Sequence, residues 1–297
     1  MPLWVLLALG AAFSIATSDA LTKKALTGGE STSSGEDEYL VAWARLLFTL
    51  PVLGGLWFFI DIPEFDSTFF YAFMVSLPLE VVTVFLYIKA LKLSPLSLTL
   101  PFLSLTPLFL IFSSYFINNE TIPLQGIAGI ILISTGGYIL NVHSARLGIL
   151  EPLRAICREK GSMLMIAVAL IYSITSSLGK VAIEHSSPLF FGITYFTALT
   201  IAVTPLSIYM GRKRLKGFFI EGSYRKVILP GIFYGLMVVF HMLSLDLTKV
   251  AYMISVKRLS LLIGVIYGHL FFKESHFKER LSGTILMLGG FVLIVNS

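Results

Sequence analysis

The sequence predicts an all-α integral membrane protein with ten transmembrane helices built as two inverted five-helix repeats. Three observations lead there. Charge is scarce, ten apolar runs have membrane-crossing length, and a polar pattern recurs halfway along with its basic loops swapped to the other side.

Of 297 residues, 56% are hydrophobic and 13% are charged, with a mean hydropathy of +0.86. Soluble domains carry roughly 25% charged residues. This chain cannot cover itself with a charged surface, so lipid must contact much of its exterior. The formal charge of +5 does not indicate nucleic acid, because most Lys and Arg fall in short gaps between apolar runs. The one cysteine, Cys157, excludes a disulfide framework within the chain, and no Cys/His cluster has zinc spacing. No metal and no cofactor is expected.

A spanning helix needs about 20 mainly apolar residues. The first run, Pro2–Leu26, has Lys23 and Lys24 behind it, the reverse of a signal peptide's charge order, and reads as a retained helix. The polar loop Gly28-Gly29-Glu30-Ser31-Thr32-Ser33-Ser34-Gly35 separates it from Tyr39–Ile60. Asp61-Ile62-Pro63-Glu64 ends the second run. Thr68–Leu91 follows, then Pro95–Ile117, closed by Asn118-Asn119-Glu120, then Pro123–Val142. Residues 1–142 form the first repeat and residues 143–160 a polar linker. Residues 161–297 form the second repeat, with runs Gly161–Ile183, Pro188–Met210, Val227–Leu247, Val250–Phe272 and Lys278–Asn296. Apolar residues surround these runs without a polar stripe, unlike surface helices.

The repeat is visible in its offsets. Glu120 precedes Gly136-Gly137, and Glu274 precedes Gly289-Gly290, displaced by 154 and 153 residues. Ala90-Leu91 matches Ser244-Leu245 at 154, and Phe13-Ser14-Ile15 echoes Tyr172-Ser173-Ile174. Five spans per repeat turn the second repeat upside down. Loop charge agrees: the odd-numbered joining segments hold 17 of the 22 Lys and Arg, and the even ones hold Lys180 and Lys249. This places the odd segments in the cytoplasm and both termini outside, in a plasma (inner) membrane.

The sequence resembles the drug/metabolite transporter superfamily, specifically EamA-type carriers with two tandem repeats. The resemblance rests on Ala90-Leu91 to Glu120 to Gly136-Gly137, its counterpart Ser244-Leu245 to Glu274 to Gly289-Gly290, and Trp43-Ala44-Arg45-Leu46-Leu47 in the second helix. It implies a ten-helix bundle around a central cavity, alternating access, and small metabolites as cargo. No clear counterpart of Arg45 occurs in the second half.

Intramembrane charges cost at least ~2.5 kcal/mol each and usually face a cavity or a partner. Glu80, mid-span after Pro78, is the leading substrate-binding candidate, for a cationic group or a proton; a structural ion pair is the plainer reading. Lys257 and Arg258 lie a third of the way into the ninth run. Adjacent helical residues point about 100° apart, so one is expected to face the cavity while the other snorkels or pairs with Glu80. A basic pair here also resembles the phosphate-sugar branch of the superfamily, which implies anion recognition. His241 is a candidate proton site or a satisfied core histidine. Tyr234, 154 residues after Glu80, is expected at the mirrored place, and Tyr252 and Ser255 are expected to line the same pocket. Arg45 reads as structural and able to snorkel, Asp19 as a local partner of Lys23 one turn away, and Glu120 and Glu274 as caps of the spans that follow them. Pro78, Pro101, Pro107 and Pro205 are expected to bend helices or expose carbonyls.

The expected function is secondary transport of a small polar metabolite, with amino acids or related compounds and export as the working guess. Anionic, phosphorylated or nucleotide-linked cargo is the alternative, and a non-transporting membrane scaffold is the alternative of another class. An enzyme is not expected: the chain has no His-Glu-x-x-His, no Gly-x-Ser-x-Gly and no Walker pattern. The expected partners are a small-molecule substrate and membrane lipid. Two repeats in one chain make a monomer sufficient and leave the oligomeric state open.

Overall fold

The computed structural model describes residues 1–27, 36–94, 100–142, 160–272 and 281–297. The loop 28–35, most of the linker with Cys157, and Glu274 lie outside the described residues.

All regular structure among the described residues is helical. The elements are α1 (Leu3–Thr27), α2 (Glu38–Leu47), α3 (Leu50–Trp57), α4 (Ser67–Leu93), a 3-10 turn (Leu100–Leu105), α5 (Thr106–Asn118), α6 (Leu124–Val142), α7 (Lys160–Glu184), α8 (Pro188–Ile220), α9 (Arg225–Asp246), α10 (Val250–Lys257), α11 (Ser260–Phe272) and α12 (Leu281–Val295). Each expected run is present. Six spans are long and apolar enough to cross a membrane as helices by that measure alone.

Three runs are broken rather than continuous, and the breaks have local causes. Pro51 in the first turn of α3 and Pro107 in the first turn of α5 cannot donate a backbone hydrogen bond, so each starts a new helix. The third break, at Arg258–Leu259 between α10 and α11, contains no proline. It lies 153 residues after the junction of the 3-10 turn with α5, so the fourth and ninth spans break at equivalent places. Pro78 and Pro205 sit inside the unbroken α4 and α8, as does Pro230 inside α9.

Packing obeys the inverted repeat. α1 lies along α9, and its counterpart α7 lies along α4. α5 packs on α7 as α11 packs on α1, while α2 meets α8 and α6 meets α12 across the pseudo-twofold. α1 and α7 superimpose in sequence with an offset of 157 at both ends. The α6–α12 contact is close because glycines face each other: a Cβ on Gly290 would stand 2.5 Å from the Gly129 carbonyl, and one on Gly129 2.8 Å from the Gly290 carbonyl. The paired glycines are not equivalent, since Gly289 faces open space. The outer faces carry exposed Phe58, Phe59, Phe116, Leu124 and Ile201, as lipid contact requires.

Candidate functional site

A cavity lies between the α1–α9 pair and the α4–α7 pair. Its empty volume, open mouth included, is about 1390 Å³. Asp19, Arg45, Glu80, Lys257, Arg258 and His241 border it, with Tyr87, Tyr172, Tyr195, Tyr234 and Thr175. The wall thus holds three cations and two carboxylates, with His241 counted neutral.

Asp19 and Arg45 form a buried ion pair at 2.9 Å, and the Tyr87 hydroxyl donates to the other Asp19 oxygen at 2.5 Å. The guanidinium also stacks 4.3 Å from the Tyr234 ring centre. Two expectations change here. Arg45 does not reach the interface: it is 4% exposed, because α2 is packed between α8 and α9 and its neighbour across the cavity is an acid. Asp19 does not pair with Lys23, whose ammonium instead donates to the Leu91 and Ser94 carbonyls at 2.5 and 2.9 Å. Tyr234 sits at the cavity as expected, where it holds Arg45.

Glu80 is 6% exposed and lies beside Thr175. Among the described residues it forms no ion pair within 4 Å, although it is close enough to Lys257 for their charges to interact. Lys257 Nζ lies 2.7 Å from His241 Nδ1, and the ammonium is the donor when Lys257 is charged. Lys257 and Arg258 both border the cavity. Arg258 follows α10 in right-handed helical geometry, with its amide still bonded to the Ile254 carbonyl at 3.1 Å, so the two side chains keep a helical separation and reach the cavity from one broad face shared with Ile254 and Leu261. Arg258 donates to the Thr106 hydroxyl at 3.0 Å, which joins the broken ninth span to the broken fourth. Its buried Nε has no acceptor among the described residues.

Tyr252 and Ser255 do not border the cavity. The Tyr252 hydroxyl bonds Ser297 Oγ at 2.8 Å, and Ser255 donates back to the Ala251 carbonyl at 2.6 Å, so both serve packing. α10 turns these positions away from the face that carries Lys257. Glu120 caps a helix, but not the one that follows it. Its oxygens accept from the Val250 amide at 3.0 and 3.2 Å, at the start of α10. Burial pushes this carboxyl above its usual range, opposed by the Val250 hydrogen bond. Tyr172 and Thr175 were not singled out from the sequence. Neither carries a charge that marks it as a site residue, and only their three-residue spacing on α7, nearly one turn, places them on one face.

The arrangement suits recognition of a small polar solute: a carboxylate without an ion-pair partner, two cations and a wall of tyrosines. Among the described residues no three His, Cys, Asp or Glu side chains gather as a metal site.

Comparison with known proteins agrees with this architecture. A solved chain titled "Crystal structure of protein" superposes with a TM-score of 0.66 over 96% of this chain and 98% of its own length, at 16% identity, and so shares the fold. No curated protein matches the sequence. The model of the EamA-like transporter family matches twice, over residues 2–142 and 159–296, once for each repeat. The chain is therefore a multi-pass membrane protein that belongs to the EamA-like transporter family.

Proposed function

We propose that this protein is a secondary active carrier of a small zwitterionic metabolite, an amino acid or related compound, working by alternating access with proton coupling or exchange. The observation that carries this reading is the separation of charge in one cavity. Glu80 stands on α4 without an ion-pair partner among the described residues, and Lys257 and Arg258 stand at the break of the ninth span. An ammonium group at Glu80 and a carboxylate at the two cations would each meet the opposite charge in a site where water is scarce. The tyrosines supply apolar faces with polar edges. The basic odd-numbered loops favour both termini outside a plasma membrane, and export is the working direction of the amino-acid reading.

A second reading is favoured by one observation. Among the described residues the cavity has more cations than carboxylates, and the Arg258 Nε has no acceptor. An anionic, phosphorylated or nucleotide-linked cargo would supply one.

The test is thermal stabilisation of the detergent-purified protein by a panel of amino acids, sugar phosphates and nucleotides. A ligand at 100 times its Kd adds about 2.7 kcal/mol to the folded state. The zwitterion reading expects an amino-acid hit that Glu80→Gln and Arg258→Gln both remove. A phosphate hit lost in Arg258→Gln and kept in Glu80→Gln would select the anion reading. A well-folded protein with no hit would turn the assignment towards a scaffold.

A further inference from the structure

Lys23 and Lys180 occupy equivalent positions, 157 residues apart, four residues from the ends of α1 and α7. They do the same thing. Lys23 donates to the carbonyls of Leu91 and Ser94 at the end of α4. Lys180 donates to the carbonyls of Leu245 and Asp246 at the end of α9, at 2.8 and 3.0 Å. An ammonium at a helix C-terminus meets both unpaired carbonyls and the negative end of the helix dipole.

Their placement gives the contacts a purpose. α1 packs along α9, and α4 packs along α7, but the cavity separates the two pairs. Each lysine crosses from one pair to the other. Because the repeats are inverted, the C-terminal ends of α1 and α4 lie at one membrane face and those of α7 and α9 at the opposite face. One lysine therefore fastens each end of the cavity.

We infer that Lys23 and Lys180 are paired gate residues, each restraining the opening of one face of the membrane and each released in turn as the helix pairs rock. The inference rests on the carrier reading, since a scaffold has no reason to open. In this structure both fastenings are made. An extracted lysine exchanges its helix-end carbonyls for water, so a face can open without leaving an unpaired charge in the membrane interior. Nearby Glu184, 3.7 Å from Lys180, offers that ammonium an alternative partner at the surface.

The experiment needs no substrate, so failure of the gate and failure of the carrier reading give different results. A Ser176→Cys reporter in the cavity, in a Cys157→Ser background, is labelled with a membrane-impermeant maleimide in vesicles of each orientation. Loss of a charge-assisted hydrogen bond changes an opening equilibrium about tenfold or more. Lys23→Met should raise the labelling rate about that much from the face that holds the α1 C-terminus, and Lys180→Met from the opposite face. Lys23→Arg and Lys180→Arg, which still reach the carbonyls, should label like the wild type. If a methionine variant does not fold, the shorter, uncharged Lys→Gln variant carries the same comparison. Increases from the same face in both variants, or unchanged rates in folded variants, would overturn the inference. Face-specific labelling changes with no ligand in the thermal panel would keep the gate and remove the assigned cargo, whereas unchanged labelling with no ligand would remove both the gate and the carrier.

Discussion

The two ends of the cavity are fastened by mirror-image lysines, yet what lies one turn deeper is not mirrored. At the first end, Asp19, Tyr87 and Arg45 tie three helices together, with Tyr234 over the guanidinium. The positions equivalent to Asp19 and Tyr87 at the other end are Ser176 and His241, and His241 is engaged by Lys257 instead. The pattern extends through the cavity. Glu80 has Tyr234 as its counterpart, and Lys257 and Arg258 have Ser104 and Leu105. The repeats therefore share the break of the fourth and ninth spans and the helix-end lysine contacts, while each of these charges bordering the cavity has no charged counterpart in the other repeat. The duplicated part supplies two equivalent gates, and the unduplicated part makes a single polar site with direction.

The sharpest way to break this comparison is to remove Arg45. Arg45→Met leaves the Asp19 carboxylate buried without its cation, which costs about 3–5 kcal/mol. Ser176→Ala, at the mirrored end of the Asp19 contact, should change stability by less than about 0.5 kcal/mol. Chemical denaturation in detergent measures both, and equal losses would mean that the asymmetry has no energetic content.

A smaller difference is expected between neighbouring glycines. Gly290→Ala places a methyl group against the α6 backbone, where nothing flexible can yield, and should cost about 1–3 kcal/mol. Gly289→Ala faces open space and should be neutral or stabilising by up to about 1 kcal/mol through helix propensity. Melting temperatures of the two variants decide it.

The smallest effect is a pH dependence at two capping carboxylates of opposite sign. The Glu120 carboxyl is raised above 4.5 by burial, so its contribution is fully present below that value and lost as pH rises through the folded value. Glu120→Gln should flatten that part of the profile while retaining an acceptor for the Val250 amide. Asp66 caps α4 and is held below its usual range by the Phe69 amide, with His185 contributing. Its contribution is present above the ordinary aspartate range and is lost as pH falls, so Asp66→Asn should reduce the loss on the acid side. Melting curves from pH 3.5 to 8 separate the two.

The number and order of spans were legible because membrane helices announce themselves by length and hydrophobicity. The inversion was legible in the swapped basic loops. Glu80, His241, Lys257, Arg258 and Tyr234 reached the cavity because a charge or a mirrored position marked each of them. What was missed depended on the breadth of the cavity and on partners distant in sequence. Residue spacing set Lys257 and Arg258 apart, but the cavity is broad enough to take both neighbouring positions together with Ile254 and Leu261. Asp19 is nearer in sequence to Lys23 than to Arg45 or Tyr87, and only the packing of α1 with α2 and α4 reverses that preference. Tyr252 and Ser255 share a helix with Lys257 but not its face.

The central claim is that opposite charges in this cavity bind a zwitterion that is then carried across the membrane. Counterflow in proteoliposomes tests it most directly, with labelled amino acids outside and an excess of the same unlabelled compounds inside. The wild type is expected to accumulate at least one labelled amino acid transiently, and folded Glu80→Gln none. Absence of accumulation by the well-folded wild type across the panel, or undiminished accumulation by Glu80→Gln, would contradict it.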